Sequence, residues 1–176
     1  MDTRSNTNSF FERQSFRQWW LWTILLGIAA LFIYGLIQQF YFGLPWGDRP
    51  MSNAMLICFT MLVCGILLLF WLTRLETRIS KDGIAVRFFP FFFQYKNISW
   101  NEVSSVQLRK YSAIREFGGW GLRWGLFGRG TAYIVCGDRG LQLVFKNGKK
   151  LLIGTQKEEA LRRALEHYYP NKLAEI

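Results

Sequence analysis

The chain has 176 residues, 51% of them hydrophobic and 18% aromatic, with a formal net charge of +10. That length suits one ordinary domain, but the apolar excess is gathered into two runs too long and too uniform for a small soluble core. Three cysteines with no CxxC pair and a single histidine exclude a disulfide framework and an ordinary zinc-ligand set.

In chain order, residues 1–17 are expected to form a flexible cytoplasmic tail beginning "MDTRSNTNSFFE". From Gln18 no charged side chain appears until Asp48, and a second uncharged run lies between Arg49 and Arg74. Each contains about 20 predominantly apolar residues, the length a helix needs to cross the hydrocarbon core. Two transmembrane helices are therefore predicted, over 18–42 and 54–75, with an external loop over 43–53. The remaining hundred or so residues could not surround two helices that are apolar on every face. A cleaved signal peptide does not fit the first run, which is long, opens on aromatic residues and lacks a small-x-small cleavage pattern.

The flanks set the orientation. Arg4, Arg13 and Arg17 precede the first span, and Arg74, Arg78 and Lys81 follow the second, whereas the loop has only Asp48 and Arg49. The positive-inside rule then puts both termini and residues 76–176 in the cytoplasm of a multi-pass membrane protein. Trp19, Trp20, Trp22, Tyr41, Trp46 and Trp71 fit interfacial anchoring. Gly27, Ala29, Ala30, Gly35 and Gly65 would permit close helix packing. Neither span carries an ionisable residue, which argues against a pump or a proton path within this chain.

Beyond the second span the period changes from helical to alternating, and residues 76–170 are expected to form one domain. "TRISKDGIAVRFF" predicts a hairpin about Asp82-Gly83, with Ile84, Val86 and Phe88 on one face. Pro90 makes "FFPFFFQY" an edge or loop. "NISWNEVSSVQLRKY" predicts a strand pair turning at Asn101-Glu102, and "TAYIVCGDRGLQLVFKNGKKLLIG" three strands joined by "GDRG" and "NGK". Leu161, Ala164, Leu165 and Tyr168 have the spacing of one helical face, Thr155 and Glu158 that of a capping box, and Pro170 marks the stop. A tail over 171–176 completes the chain. The class is α+β, with a C-terminal helix covering an antiparallel sheet.

No catalytic constellation stands out. The stretch "EFGGWGLRWGLFGRG", 116–130, lacks GK[ST] and the G-x-G-x-x-G context between strand and helix, so its glycines are read as bends. His167 has no partner imidazole, there is no G-x-S-x-G, and nothing shows that any two of Glu102, Glu116 and Asp138 meet. No cofactor, metal or catalytic residue is expected. Beyond Thr73 there are eighteen Lys and Arg against nine Asp and Glu, so almost all of the net charge lies in this domain. A basic domain tethered by the few residues "ETRISK" meets an anionic membrane surface more simply than nucleic acid. The expected interaction surface comprises Arg87, Phe91, Phe92, Arg115, Trp120, Arg123, Trp124, Arg129, Lys149 and Lys150, with Phe127 beside them.

The segments "YSAIREFGGWGLR" and "AYIVCGDRGLQLVFKNGKKLLIGTQKEEALRRAL", with "DGIAVRFFPF" and "NISWNEV", resemble an uncharacterised family of small bacterial membrane proteins with two N-terminal spans and a bacterial PH-like domain. The resemblance covers about residues 20–170. It implies a partly closed antiparallel barrel of about seven strands capped by the final helix, with Arg115, Glu116, Gly118, Gly119, Trp120, Gly121 and Arg123 as structural signatures. It carries no activity across, because the fold hosts many roles. The functional expectation is a membrane-anchored, non-catalytic interaction or scaffolding module. Its expected partners are the lipid bilayer, a membrane protein or further copies of itself. The competing expectations are recognition of anionic lipid headgroups through Arg123, Arg129, Lys149 and Lys150, and service as an auxiliary subunit of a transporter or secretion complex.

Overall fold

The computed structural model describes residues 10–125 and 128–169. Residues 1–9 of the expected tail, Phe127, the stop at Pro170 and the tail over 171–176 lie outside the described residues. The chain divides into two compact units, one of residues 17–72 and one formed by the residues on either side of them.

The first unit is a helical pair. Helix α1, Trp19–Leu36, runs on through a π-helical turn at Ile37–Tyr41, and α2 spans Asn53–Leu72. At 23 and 20 residues, both are long and apolar enough to cross a membrane. The second ends three residues earlier than its hydropathy suggests, because Arg74 and Leu75 already belong to a strand. The two threonine hydroxyls of the helices are satisfied locally: Thr23 Oγ1 donates to the Trp19 carbonyl (3.0 Å) and Thr60 Oγ1 to that of Leu56 (2.7 Å). Phe32 of α1 meets Phe59 of α2, with ring centroids 6.2 Å apart, and Trp46 of the connecting loop at 5.9 Å. The Trp46 ring lies so close to Gly35 that a Cβ there would come within 2.7 Å of it. Of the small residues expected to mediate packing, Ala29 and Gly35 are buried, whereas Gly27, Ala30 and Gly65 are exposed.

Among the described residues, the second unit holds nine strands in two sheets. Strands β1 (Phe10–Ser15), β2 (Arg74–Ser80), β3 (Gly83–Phe89) and β4 (Lys96–Ser99) form an antiparallel sheet in sequence order. Strands β5 (Val103–Lys110), β6 (Gly121–Gly125), β7 (Gly130–Ile134), β8 (Arg139–Phe145) and β9 (Lys150–Thr155) form the other, in the order β5-β8-β9-β7-β6. A short helix α3 (Ala113–Phe117) precedes β6, and helix α4 (Glu158–Tyr168) follows β9.

Several expectations need correction. The sheets remain separate and do not close into a barrel, and β7 pairs with β9 in parallel, so the unit is neither seven-stranded nor wholly antiparallel. Residues 10–15 are not tail but strand β1, paired along its whole length with β2 from Phe10↔Ile79 to Ser15↔Arg74. The turn at Asn101-Glu102 is a single 3-10 turn, Trp100–Glu102, that carries the chain from one sheet to the other; β4 and β5 do not pair. "GDRG" is likewise a crossover, since β7 and β8 each pair with β9. The hairpins at Lys81-Asp82 and at Asn147-Gly148 do form, the latter closed by Phe145 N–H to the Lys149 carbonyl at 2.8 Å. The capping box does not: Thr155 ends β9, and α4 begins after Lys157 with no side-chain cap.

Side chains alternate across a strand, and the four-stranded sheet shows what each face is for. Phe10, Glu12 and Gln14 of β1, Leu75, Thr77 and Ile79 of β2, and Ile84, Val86 and Phe88 of β3 point one way, and eight of these nine are at most 3% exposed, with Phe10 at 7%. That face turns toward β7 and β9. Gln14 Nε2 donates to the Gly154 carbonyl (2.7 Å), Thr155 Oγ1 and Gln156 N–H donate to the Glu12 carboxylate (2.6 and 2.8 Å), and Phe88 meets Tyr133. Strand β9 has both faces covered, and Leu151 through Thr155 are all buried. On one side of it, Leu152, Ala132 and Ile134 pack with Tyr111, Ala113 and Phe117. Leu161, Ala164 and Leu165 of α4 are buried, and the helix lies against β1 and β2. Tyr169 just beyond α4 stacks on Trp100 with centroids 4.6 Å apart.

Candidate interaction surface

The expected surface residues fall into three places. Most lie where α3, β6, β7 and the start of β9 adjoin. Arg109 and Ser112 set this region: Arg109 Nη2 donates to Glu116 Oε2 (2.8 Å), and the Ser112 N–H donates to Glu116 Oε1 (2.9 Å). Burial would raise the Glu116 pKa, but its bonds to Arg109 and Ser112 outweigh that and hold it below the usual carboxylate value. Glu116 therefore fixes the first turn of α3 rather than pairing with Arg115 or Arg123.

Gly118 ends α3 in the left-handed conformation (φ +72°), and its N–H bonds back to the Ile114 carbonyl. The chain then turns into the β6–β7 hairpin, which ends at the Gly125↔Gly130 pair. Gly130 combines φ +81° with a close approach: a Cβ there would stand 2.1 Å from the Lys150 carbonyl oxygen. The glycines of 116–130 thus serve a helix end and a tight hairpin packed on β9, as their reading as bends expects.

These backbone demands sort the side chains. Trp120 packs against the Tyr111, Phe117 and Leu152 cluster, whereas Trp124, on the edge strand β6, is 75% exposed. Arg123 Nε donates to the Trp120 carbonyl (2.8 Å), and Arg129 Nη1 reaches the Arg115 carbonyl (3.4 Å). Lys149 and Lys150 are exposed at the β8–β9 turn next to Gly130. Arg115, Arg123, Arg129, Lys149 and Lys150 accordingly gather at the end of the sheet where β6, β7 and β9 adjoin, with the exposed Trp124 indole on the opposite face of β6 from Arg123. Two other cations of the domain are spent on carboxylates: Lys110 meets Asp138 at 3.2 Å and Arg139 meets Glu158 at 3.5 Å.

Phe91 and Phe92 lie elsewhere, at the end of β3. Phe91 packs on Phe88, and Phe92 on Tyr133 of β7, with centroids 5.7 and 6.0 Å apart, so each is half committed to the join between the sheets.

Arg87 is on the outer face of the four-stranded sheet, within a cluster that sequence reasoning missed. The register places Arg13, Glu76 and Arg87 in one cross-strand row. Arg87 donates to Glu76 Oε2 through Nη2 (2.7 Å) and Nε (3.2 Å), Arg13 approaches Glu76 Oε1 at 3.7 Å, and the Tyr95 hydroxyl also donates to Glu76. Arg78 and Arg87 each lie 4.6 Å from the Tyr95 ring centroid, and Arg78 also covers Phe11 at 5.1 Å. Burial would raise the Glu76 pKa, yet its bonds to Tyr95 and Arg87 prevail and lower it. A signal was present in the alternation of "FFERQS", but its inward residues include Glu12 and Gln14, so hydropathy hides the strand.

Among the described residues no group of three or more His, Cys, Asp or Glu converges as a metal site. Cys58, Cys64 and Cys136 are free thiols, and burial pushes that of Cys136 up. No family model matches the chain, and no curated protein matches it.

Proposed function

We propose that the chain is a membrane-anchored, non-catalytic interaction or scaffolding module, an open variant of the PH-like architecture it resembles. The observation that carries this reading is the splicing of the helical pair into a sheet. One residue, Thr73, separates α2 from β2, and three separate β1 from α1, while β1 and β2 are neighbours in register. If both helices cross a bilayer, their outer ends belong to one folded domain on one side of it, the cytoplasmic side by the positive-inside rule. That domain presents an exposed indole on the edge strand β6 and several arginines and lysines at the same end of the sheet, a combination suited to holding a partner.

In-cell crosslinking through a photoreactive residue at position 131, the cross-strand neighbour of Trp124, followed by identification of what is captured, tests the reading. A reproducible, stoichiometric partner or a second copy of the chain is expected. Turnover of a lipid or nucleotide by the purified protein, abolished by a single polar substitution in the domain, would overturn it. The gathering of Arg123, Arg129, Lys149 and Lys150 where β6, β7 and β9 adjoin favours, as a second reading, anionic headgroups as the ligand at this end of the sheet.

A further inference from the structure

The outer face of the four-stranded sheet carries a charge pattern that the proposed scaffold does not use. On β1, β2 and β3 that face consists of Phe11, Arg13 and Ser15, then Arg74, Glu76 and Arg78, then Ala85, Arg87 and Phe89. Four arginines thus share the face with one carboxylate. Glu76 is largely enclosed by Arg87, Arg13 and Tyr95, so its charge is spent inward, whereas the Arg13 side chain remains 46% exposed and Arg78 is exposed as well. Arg78 lies with its guanidinium against the rings of Tyr95 and Phe11, an arrangement that fixes its position while its N–H groups can still bond outward.

We infer that this face is a binding surface for the anionic headgroups of the bilayer that α1 and α2 would cross. The occupant follows from charge and continuity of the chain. The excess is positive, guanidinium geometry matches phosphate oxygens, and Phe11, 47% exposed, adds an apolar contact at the same place. Arg74 comes two residues after the end of α2, and Arg13 six residues before the start of α1, so the cluster lies on the strands that continue directly into the helices. The inference rests on the membrane reading above but names a different surface from that around Trp124.

The test uses the full chain reconstituted in nanodiscs of phosphatidylcholine and phosphatidylglycerol. The readout is the preference of the protein for spin-labelled phosphatidylglycerol over spin-labelled phosphatidylcholine. Each basic side chain brought to an anionic surface contributes up to about fivefold in association; averaged over every lipid around the protein, the double variant R13Q/R78Q should lower the preference about twofold. It leaves the Glu76–Arg87 bond in place, and R13K/R78K, which keeps the charge, should retain most of the preference. R123Q/R129Q, with the same loss of charge elsewhere, should change it less than R13Q/R78Q.

No preference in the wild-type chain, or equal losses in the two glutamine double variants, would overturn the inference. So would arginine-dependent capture of an acidic peptide or of inorganic phosphate by the protein in pure phosphatidylcholine discs, without any lipid preference. Protease protection and resistance to alkaline extraction, measured on the same preparations, report whether the helices are inserted. Their failure would remove the membrane reading itself, whereas insertion without lipid preference would remove the headgroup surface alone.

Discussion

Glu12 is the residue whose removal should most directly undo the join between β1 and the rest of the domain. Its carboxylate is 2% exposed and accepts the Thr155 hydroxyl and the Gln156 N–H. A hydrogen bond to a charged group is worth about 1.5 to 3 kcal/mol, and an abandoned buried donor costs about 1 to 3 kcal/mol. Glu12→Ala removes both acceptor oxygens. Allowing the Thr155 hydroxyl to rotate toward another acceptor, the loss should be about 3 to 4 kcal/mol. Glu12→Gln preserves shape and one acceptor oxygen and should lose about half as much. Hydrogen exchange at the β2 amides paired with β1, on the full chain in a neutral detergent, reads the opening free energy of this strand by itself. A change within about 0.5 kcal/mol for the alanine variant, the usual range of an uninvolved surface substitution, would refute the reasoning. So would identical effects of alanine and glutamine, which would assign the loss to volume instead of hydrogen bonding.

Three further outcomes can be measured on the same preparation. Gly130→Ala should destabilise the domain by about 2 to 4 kcal/mol, because strain at φ +81° is compounded by a clash with Lys150, whereas Gly118→Ala, with open space about it, should cost about 1 kcal/mol; denaturant midpoints that rank the two equally would contradict this. The carboxyls of Glu76 and Glu116 have lowered folded pKa values, so their contribution is complete above the unfolded value of about 4.3 and is lost as pH falls through the folded values. The thermal midpoint should therefore drop on acidification below about pH 4, less steeply in Glu116→Gln, and an unchanged slope in that variant would count against the assignment. Trp124→Ala should leave stability within about 0.5 kcal/mol while abolishing capture of a partner, and Trp120→Ala should lower stability by about 2 kcal/mol or more, since it strips the α3 cluster of its cover.

How much of this was legible in the sequence depended on whether a segment carried its own signal. The two helices announced themselves because an uncharged run of membrane length has few other readings. The hairpins near Gly83 and Gly148 were readable because glycine supplies the positive φ that the chain adopts there, although the first turns at Lys81-Asp82 and not at Asp82-Gly83. The alternation of Ile84, Val86 and Phe88 named the buried face of β3 correctly. What failed was pairing over long distance. Strand β1 has a polar interior face, so nothing in its hydropathy distinguishes it from a tail, and its partners lie across the whole helical pair or near the C-terminus. "GDRG" has the residues of a hairpin turn but not its geometry, because β9 inserts between β7 and β8. Thr155 has the spacing of a cap, yet its hydroxyl is engaged by Glu12, a contact that no local pattern records. The Arg13–Glu76–Arg87 row was invisible in the sequence because it exists only once β1 pairs with β2. A soluble fragment that starts at residue 76 would lack β1 and the first two residues of β2, so it is unsuitable for testing the function of the domain.

The splice also bears on how the domain closes. Joining Ser15 to Arg74 means closing a loop of about 60 residues, which for a flexible chain costs about 3.5 kcal/mol beyond the constant term. An antiparallel helical pair changes that cost, because packed helices run about 8 to 10 Å apart and bring the two ends of the loop close together before any strand forms. The Phe32–Phe59 contact, the seat of Trp46 on Gly35 and the bonds from Gln39 Nε2 to the Met51 carbonyl and Asn53 Oδ1 help hold this pair as a hairpin. The helical pair therefore prepays, as chain entropy, much of the pairing of β1 with β2. The polar bonds of Glu12 and Gln14 to β9 and Gln156 then lock that pairing to the second sheet. On this argument the buried polar face of β1 is suited to a strand that must dock in one register. An apolar strand could slide or pair elsewhere, whereas a carboxylate that needs both Thr155 and Gln156 is satisfied in a single alignment.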